Sequence, residues 1–405
     1  MIKFSPPHID QEIIDEVVSA LKSGWITTGP RTKQFEKNIA AYCNAPNVLC
    51  LNSATAGLEI ILRWFGVGPG DEVIVPAYTY CATANVVMHC GAKPVFIDVN
   101  ENDFNINIEQ IKKAITANTK VIMPVDFAGL PCDYDAINQL VKSHNLIKLF
   151  KANSAEQTKL GRILILSDAA HSFGAVYNNK KTGTLCDASV FSFHAVKNLT
   201  TSEGGAVVFN LPEPFNNANI YNELCIKTLH GQNKDALAKT QKGNWKYDIV
   251  EPGYKCNMTD ISAAIGLVEL ARYNSIILPK RKYICEKYSS LLGAYSWAHL
   301  PVLKDNQRET SYHLYPLRIK NITEVQRDAI MQKIFDADVS VNVHFIPVPM
   351  TSYYKGIGYS IADYPVTYQN FSCEISLPVF VDLTDDEIKT VVDAVVNAVK
   401  EVTNQ

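Results

Sequence analysis

Two stretches of this chain place reactive residue types where a fold can use them. Asp168 stands in Ser-Asp-Ala-Ala-His (167–171), directly after the apolar run Ile163–Leu166, which reads as a strand. A carboxylate at the carboxyl end of a strand, among small alanines, has room to meet a flat ligand. The plainer alternative is a helix-capping or turn Asp. Lys197 follows in Phe-Ser-Phe-His-Ala-Val-Lys-Asn-Leu-Thr-Thr-Ser-Glu-Gly-Gly (191–205), again after a strand and ahead of another. A lysine among apolar and small residues loses solvation, which lowers its pKa and frees the amine as a nucleophile. A solvated surface charge is the alternative there.

Elements that must position these residues are read from periodicity. Ile9, Ile13, Val17, Ala20 and Leu21 fall at helical spacing over 9–22, and a second helix opens near Ser53–Thr55 and runs to Gly66. Apolar β-branched runs then alternate with helical stretches. Strands are expected at Val73–Val75, Val95–Val99, Val121–Val125, Ile163–Leu166, Ala188–Phe193 and Ala206–Phe209. Helices are expected at Thr83–Cys90, Ile108–Thr116 and Tyr134–His144. Strands without polar alternation, interleaved with helices, indicate a mainly parallel sheet covered on both faces, which binds ligands beyond its carboxyl ends. The polar segment 148–161 reads as a surface insertion. From about residue 270 the texture changes to a smaller α+β unit. Its elements are a helix near Ile276–Leu292, strands near His313–Ile319 and Val339–Ile346, and a final helix that Thr384 and Glu387 cap as a box. The division is 1–270 and 271–405.

Composition narrows the function classes. The 405 residues are 47% hydrophobic and 20% charged, with 38 basic against 41 acidic side chains and a net charge of −3. That is a soluble globular profile with no basic excess for nucleic acid. The longest charge-free run, Val73 to Ala92, holds Pro76, Asn85 and His89 and is too polar for a membrane span. Without an export signal, the 10 cysteines are expected to be reduced and the protein cytoplasmic. Sequons at Asn198, Asn257, Asn321 and Asn370 then carry no meaning. No H-E-x-x-H or Cys/His cluster is present, so no metal is expected.

In order and spacing, Asp168 and Lys197 resemble the pair of a pyridoxal-phosphate (PLP) enzyme of the aspartate-aminotransferase fold. There a lysine amine condenses with the cofactor aldehyde, and an aspartate keeps the pyridine nitrogen protonated so that the ring acts as an electron sink. Ser53-Ala54-Thr55-Ala56-Gly57, opening a helix, supplies hydroxyls and amide N–H groups for a phosphate. Along nearly the whole chain the sequence also resembles the DegT/DnrJ/EryC1/StrS sugar aminotransferases. The likeness includes Gly24-Trp25-Ile26-Thr27-Thr28-Gly29-Pro30, Val75-Pro76-Ala77-Tyr78-Thr79-Tyr80 and Gly91-Ala92-Lys93-Pro94-Val95-Phe96-Ile97-Asp98. It continues in Gly253-Tyr254-Lys255-Cys256-Asn257-Met258-Thr259-Asp260, Ser311-Tyr312-His313-Leu314-Tyr315-Pro316 and Val343-His344-Phe345-Ile346-Pro347.

The resemblance implies roles. Lys197 would bind the cofactor and shuttle protons, Asp168 would face the ring nitrogen, and His171 the ring hydroxyl. Thr55, Ala56 and Ser192 would hold the phosphate, and Tyr80 would stack on the ring. It implies a homodimer with shared active sites, in which Lys255 and Asn257 reach the neighbour's phosphate, while Thr28, Tyr315 and His344 face the sugar nucleotide. The expected reaction carries an amino group from L-glutamate, through the PLP and pyridoxamine (PMP) forms, to a nucleotide-linked keto sugar. A 4-keto-6-deoxyhexose, for surface polysaccharide or related glycans, suits the Lys255–Asn257 motif.

Ala54, Ser202 and Cys256 depart from the commonest family pattern, and the 148–161 segment has no placed counterpart. Dehydratase relatives carry His where this chain has Lys197, which favours amino transfer. A sugar dehydratase and a non-catalytic regulator on the same fold are the alternatives. A nicotinamide oxidoreductase lacks its glycine fingerprint here: Gly66-Val67-Gly68-Pro69-Gly70 follows a helix and precedes a strand. His194 is expected to be structural and Glu203 to support the glycine turn.

Overall fold

A computed structural model describes residues 1–234 and 245–403. Seven strands form the main sheet: β1 (Asn47–Leu51), β2 (Glu72–Pro76), β3 (Lys93–Ile97), β4 (Thr119–Ile122), β5 (Leu164–Asp168), β8 (Ala188–Ser192) and β9 (Gly205–Phe209). Two short strands, β6 (Val176–Tyr177) and β7 (Lys180–Lys181), lie outside it. Strand order is β1-β9-β8-β5-β4-β2-β3, and only β9 runs against its neighbours. Alternate residues face opposite layers. Val190 and Val207 meet Leu58 and Ile61 on one side, and Phe191 and Val208 meet Phe35 and Ile39 on the other. Both faces are buried, which is why the strands read as unbroken apolar runs.

Helices α1 (Gln11–Lys22), α2 (Pro30–Cys43), α3 (Ala54–Trp64) and α4 (Cys81–His89) lead into the strands around the site. Asp10 caps α1, its carboxylate accepting the Ile13 N–H at 3.1 Å. No pattern reading announced α2 or β1. The start of α2 is held from far along the chain: the Asp260 carboxylate accepts the N–H groups of Gly29 (2.8 Å) and Thr32 (2.9 Å) and the Thr32 hydroxyl (2.7 Å).

Toward the C-terminus, β10 (Ala298–His299), β12 (Tyr315–Ile319) and β13 (Glu374–Leu377) make a separate antiparallel sheet, while β11 (Arg308–Glu309) pairs with β6. The three-stranded sheet packs against helices Leu278–Leu292, Glu324–Asp336 and Asp385–Thr403 in its own apolar cluster. The segment 339–346 is not the strand its valine alternation suggests. It makes only isolated bridges, Val339 with Ile2 and Asn342 with Ser376 (reciprocal backbone hydrogen bonds of 3.2 and 2.8 Å), after which the chain turns away along the cavity wall. One helical run, Asp260–Leu292, carries a π turn at Tyr273–Ile277. It is long and apolar enough to cross a membrane on length and composition, but half of its most apolar window is buried in this fold.

The segment 148–161 is more than a surface insertion. Helix Ala155–Leu160 docks through Gln157, which is fully buried and donates to the Phe65 carbonyl at 3.0 Å. Asn153 meets Asp71 at 2.7 Å. Of the polar residues that suggested solvent, Gln157 is satisfied inside, while Asn153 stays exposed.

Candidate functional site

The carboxyl ends of β2, β5 and β8 and the amino end of α3 converge on a cavity of about 470 Å³. Lys197 and Asp168 both line it. The loop after β8 folds back on itself, with the Thr201 N–H on the Phe193 carbonyl (2.8 Å) and the Lys197 N–H on the His194 carbonyl (2.9 Å). This aims a half-buried Lys197 into the cavity. Desolvation lowers its pKa to about 8, although Asp168 pulls the other way.

Asp168 is 6% exposed. Its carboxylate accepts the Thr83 hydroxyl at 2.8 Å and the Ala170 N–H at 3.2 Å. Burial raises its pKa; those two hydrogen bonds and Lys197 oppose the rise. Thr83 comes from the first turn of α4 and is itself joined to Thr79 at 2.8 Å. Its role was not legible in the sequence, where it stood at the start of an expected helix. Thr83→Val, nearly the same shape, should lower turnover about tenfold, the worth of one buried hydrogen bond to a charged group. Steady-state kinetics on that variant checks it, and an unchanged rate would remove Thr83 from the site.

His171 is buried, its ring 4.4 Å from His313 and 5.7 Å from Phe345. Desolvation and the nearby Lys197 push its pKa far down, so the ring is neutral, and its Nδ1 has no hydrogen-bond partner. His313 is fixed by Asn198, whose Oδ1 meets its Nδ1 at 2.9 Å. Sequence reading used His313 only as a motif letter; nothing local marks it as a neighbour of His171.

At the opposite end, Ser53 caps α3 by accepting the Ala56 N–H at 3.1 Å. Ala54, Thr55 and Ser192 line the cavity and Ala56 does not. In this structure the Ala56 amide serves the cap, and the amides of the preceding residues are the ones left without an acceptor in the helix. Gly205 opens β9 directly beside this turn. A Cβ there would stand 2.4 Å from the Ala54 nitrogen and 2.6 Å from the Ser53 carbonyl carbon, both backbone. Gly205→Ala should cost about 1–3 kcal/mol of stability by overpacking. It should also weaken cofactor binding, as read by urea unfolding and by titration with PLP; a variant matching wild type in both would mean the turn yields freely.

Tyr80, at the N-cap position of α4, is 59% exposed at the cavity wall, its ring 5.5 Å from Phe345. His344 lines the cavity and stacks on Phe4 at 5.3 Å. His194 is exposed rather than packed, and pairs with Glu203 at 3.6 Å on the cavity wall.

Three predicted residues lie together outside the cavity lining. The Asn257 amide donates to Thr28 Oγ1, and Lys255 donates to Asn257. This segment runs along the end of β1, with the Asn52 N–H on the Cys256 carbonyl at 2.8 Å. Tyr315 is a correction. It belongs to β12, is fully buried in the C-terminal core against Tyr288, and its hydroxyl meets Ser289 at 3.0 Å. Strand alternation turns its side chain inward, while Leu314 beside it lines the cavity.

The family model of the DegT/DnrJ/EryC1/StrS aminotransferases matches residues 7–396. A chain from Streptococcus pneumoniae assigned as a sugar aminotransferase, solved in its PMP form, superposes with a TM-score of 0.95 at 45% identity, covering 99% of this chain and 100% of that one. The Helicobacter pylori aminotransferase PseC, involved in pseudoaminic acid biosynthesis, gives a TM-score of 0.86 at 26% identity over 99% of both chains. The spore coat polysaccharide biosynthesis protein SpsC of Bacillus subtilis is 36% identical over 403 residues, covering 98% of this chain and 97% of that protein.

Proposed function

Because the chain belongs to the DegT/DnrJ/EryC1/StrS aminotransferase family, we propose that it moves an amino group from L-glutamate to a keto sugar carried on a nucleotide. A 4-keto-6-deoxyhexose is the preferred acceptor, and the product an amino sugar for a surface polysaccharide or related glycan. PLP is the cofactor. The observation that carries this reading is one cavity in which a buried carboxylate and a desolvated lysine stand together beside a histidine with an unpartnered ring nitrogen.

These residues fit PLP. Asp168, buried with only neutral hydrogen-bond donors on its oxygens, suits a protonated ring nitrogen. His171 Nδ1 suits a ring hydroxyl. The first amides of α3 with Thr55 and Ser192 suit a phosphate, Tyr80 offers a ring face, and Lys197 Nζ is the amine to join the aldehyde. Bound there, PLP supplies an aldehyde that condenses with amines and a ring that takes up the electron pair of a broken C–H bond.

Lys197 does the proton work. With a pKa of about 8 its Nζ is divided between acid and base near neutral pH, so it can take a proton from the substrate carbon and return it. Asp168 would hold a protonated ring nitrogen in place, its carboxylate fixed by Thr83 and Ala170. His344 and Phe4 bound the side on which the sugar enters.

Two subunits complete the sites in this reading. Lys255 and Asn257 lie outside their own chain's cavity lining, and α1 exposes Ile14, Val18 and Leu21, which supports a homodimer. A second apolar cluster drawn from residues 284–399 supports the division at about residue 270 into a cofactor-binding domain and a smaller one, with Val348 and Tyr354 of the latter packing into the core of the former. None of the ten cysteines is joined in a disulfide, which suits the cytoplasm.

Mass spectrometry of the protein with L-glutamate and a panel of keto sugar nucleotides should reveal an amino sugar nucleotide. Amination of simple keto acids alone would overturn the substrate assignment.

A further inference from the structure

A second chain of hydrogen bonds reaches the cavity from the C-terminal sheet. Glu374 and Ser376, both on β13, are fully buried. Glu374 Oε2 accepts the His344 N–H at 3.0 Å, Glu374 Oε1 lies 2.5 Å from Ser376 Oγ, and Ser376 Oγ lies 3.0 Å from His344 Nδ1. With Nδ1 committed, Nε2 is the remaining polar atom of a ring that lines the cavity. Burial and Lys197 lower the His344 pKa to about 3, so the ring is neutral and carries one proton.

We propose that Glu374, acting through Ser376, decides which nitrogen of His344 carries that proton, and so whether His344 offers the substrate a donor or an acceptor. The proton count is closed. When Glu374 is ionised, the Ser376 hydroxyl donates to it, His344 Nδ1–H donates to Ser376, and Nε2 is a bare acceptor. When Glu374 is protonated it donates to Ser376, the Ser376 hydroxyl donates to Nδ1, and the ring proton sits on Nε2. One proton on a remote carboxyl therefore reverses the polarity of the group at the cavity.

Several groups bear on that carboxyl. Burial raises it to about 8, while the Ser376 hydroxyl, the His344 N–H and the Arg327 and Arg318 guanidiniums hold it down. Arg318 is committed to Asn370 (2.6 Å), and Arg327 to the Phe371 carbonyl (2.7 Å). Tyr78 and Cys373 are the other titratable neighbours, and burial keeps both neutral. On the cavity side, His344 faces Lys197, His171 and His313. Below about pH 8 Glu374 is protonated, so His344 presents Nε2–H, the polarity that a keto or hydroxyl oxygen requires. Above it, the donor becomes an acceptor. Glu374 is thus a positioning residue. The ligand half of this inference rests on the keto-sugar reading; the tautomer half does not.

The experiment is nitrogen-15 NMR of histidine-labelled holoenzyme at pH 7 and 9, with the His344 signals identified by their loss in His344→Gln. Wild type should change from the Nε2–H to the Nδ1–H tautomer. Glu374→Gln should stay Nε2–H throughout, because its carbonyl must accept the His344 N–H and leaves its NH₂ to donate to Ser376. Ser376→Ala should lose the pH response. In kinetics, the wild-type KM for the keto sugar should rise about tenfold from pH 7 to 9, the worth of a single hydrogen bond, and stay flat in Glu374→Gln. Lys197 titrates in the same window, so the difference between the two proteins is the readout. A tautomer that does not change in wild type, or that changes equally in Glu374→Gln, overturns the inference. The predicted tautomers in a protein that aminates no keto sugar would refute the substrate reading and leave the relay standing.

Discussion

Lys197→Ala should abolish amino transfer, a loss on the order of 10,000-fold or more, while the protein stays folded. The loss is large because one amine serves two tasks: it binds the cofactor aldehyde and carries the substrate proton. No other titratable group in the cavity has the same chemistry. His171 and His313 are held neutral by burial, and Asp168 is committed to Thr83 and Ala170. The fold should survive because the loop is kept by backbone contacts among Phe193, His194, Thr201 and Gly204, not by the lysine side chain. Losing an amine whose burial is unfavourable should leave stability equal or higher. Single-turnover kinetics and circular dichroism on the variant separate these outcomes. Retained turnover would place the chemistry elsewhere.

Asp168→Asn should lower turnover about 1,000- to 10,000-fold while preserving shape, in the range seen when a catalytic group loses its charged partner. Its stability effect should have the opposite sign. Burial raises the Asp168 pKa, so the folded state holds the proton more tightly than the unfolded chain does. Stability from that group is present at acid pH and is lost as the pH rises through its folded value. At neutral pH, where the unfolded chain's carboxylate is ionised, the raised pKa makes this group a net cost to folding, and asparagine should raise the thermal midpoint. Lys197 should respond as well. Without the neighbouring negative charge, its pKa should fall below the present value of about 8, moving the acidic limb of the pH profile downward. A fully active variant, or one less stable at neutral pH, would contradict this picture.

What could be read from the chain without its structure was local. Asp168 and Lys197 each end or follow an apolar strand, and strand ends are where a parallel sheet gathers its site. The helix at Asp385–Thr403 was legible because its cap, Thr384 with Glu387, is contiguous. The contacts that escaped are long-range. Asp260 organises the start of α2 from 228 residues or more away, a cap that no window along the chain contains. Thr83 reaches Asp168 across 85 residues, and Asn198 reaches His313 across 115. Tyr315 shows the converse error. A motif letter was read as a ligand contact, although the period of its strand sends the side chain into the C-terminal core and leaves Leu314 at the cavity. Gln157 escaped because its polarity suggested solvent, whereas its amide closes the end of α3 from inside.

The most direct test is the visible absorption spectrum of the protein loaded with PLP, recorded before and after L-glutamate and again after a keto sugar nucleotide. The site described here predicts a yellow protein through Lys197, bleaching with glutamate and regaining its colour with the sugar. A protein that stays colourless with added PLP, or a yellow one that neither substrate changes, would contradict it.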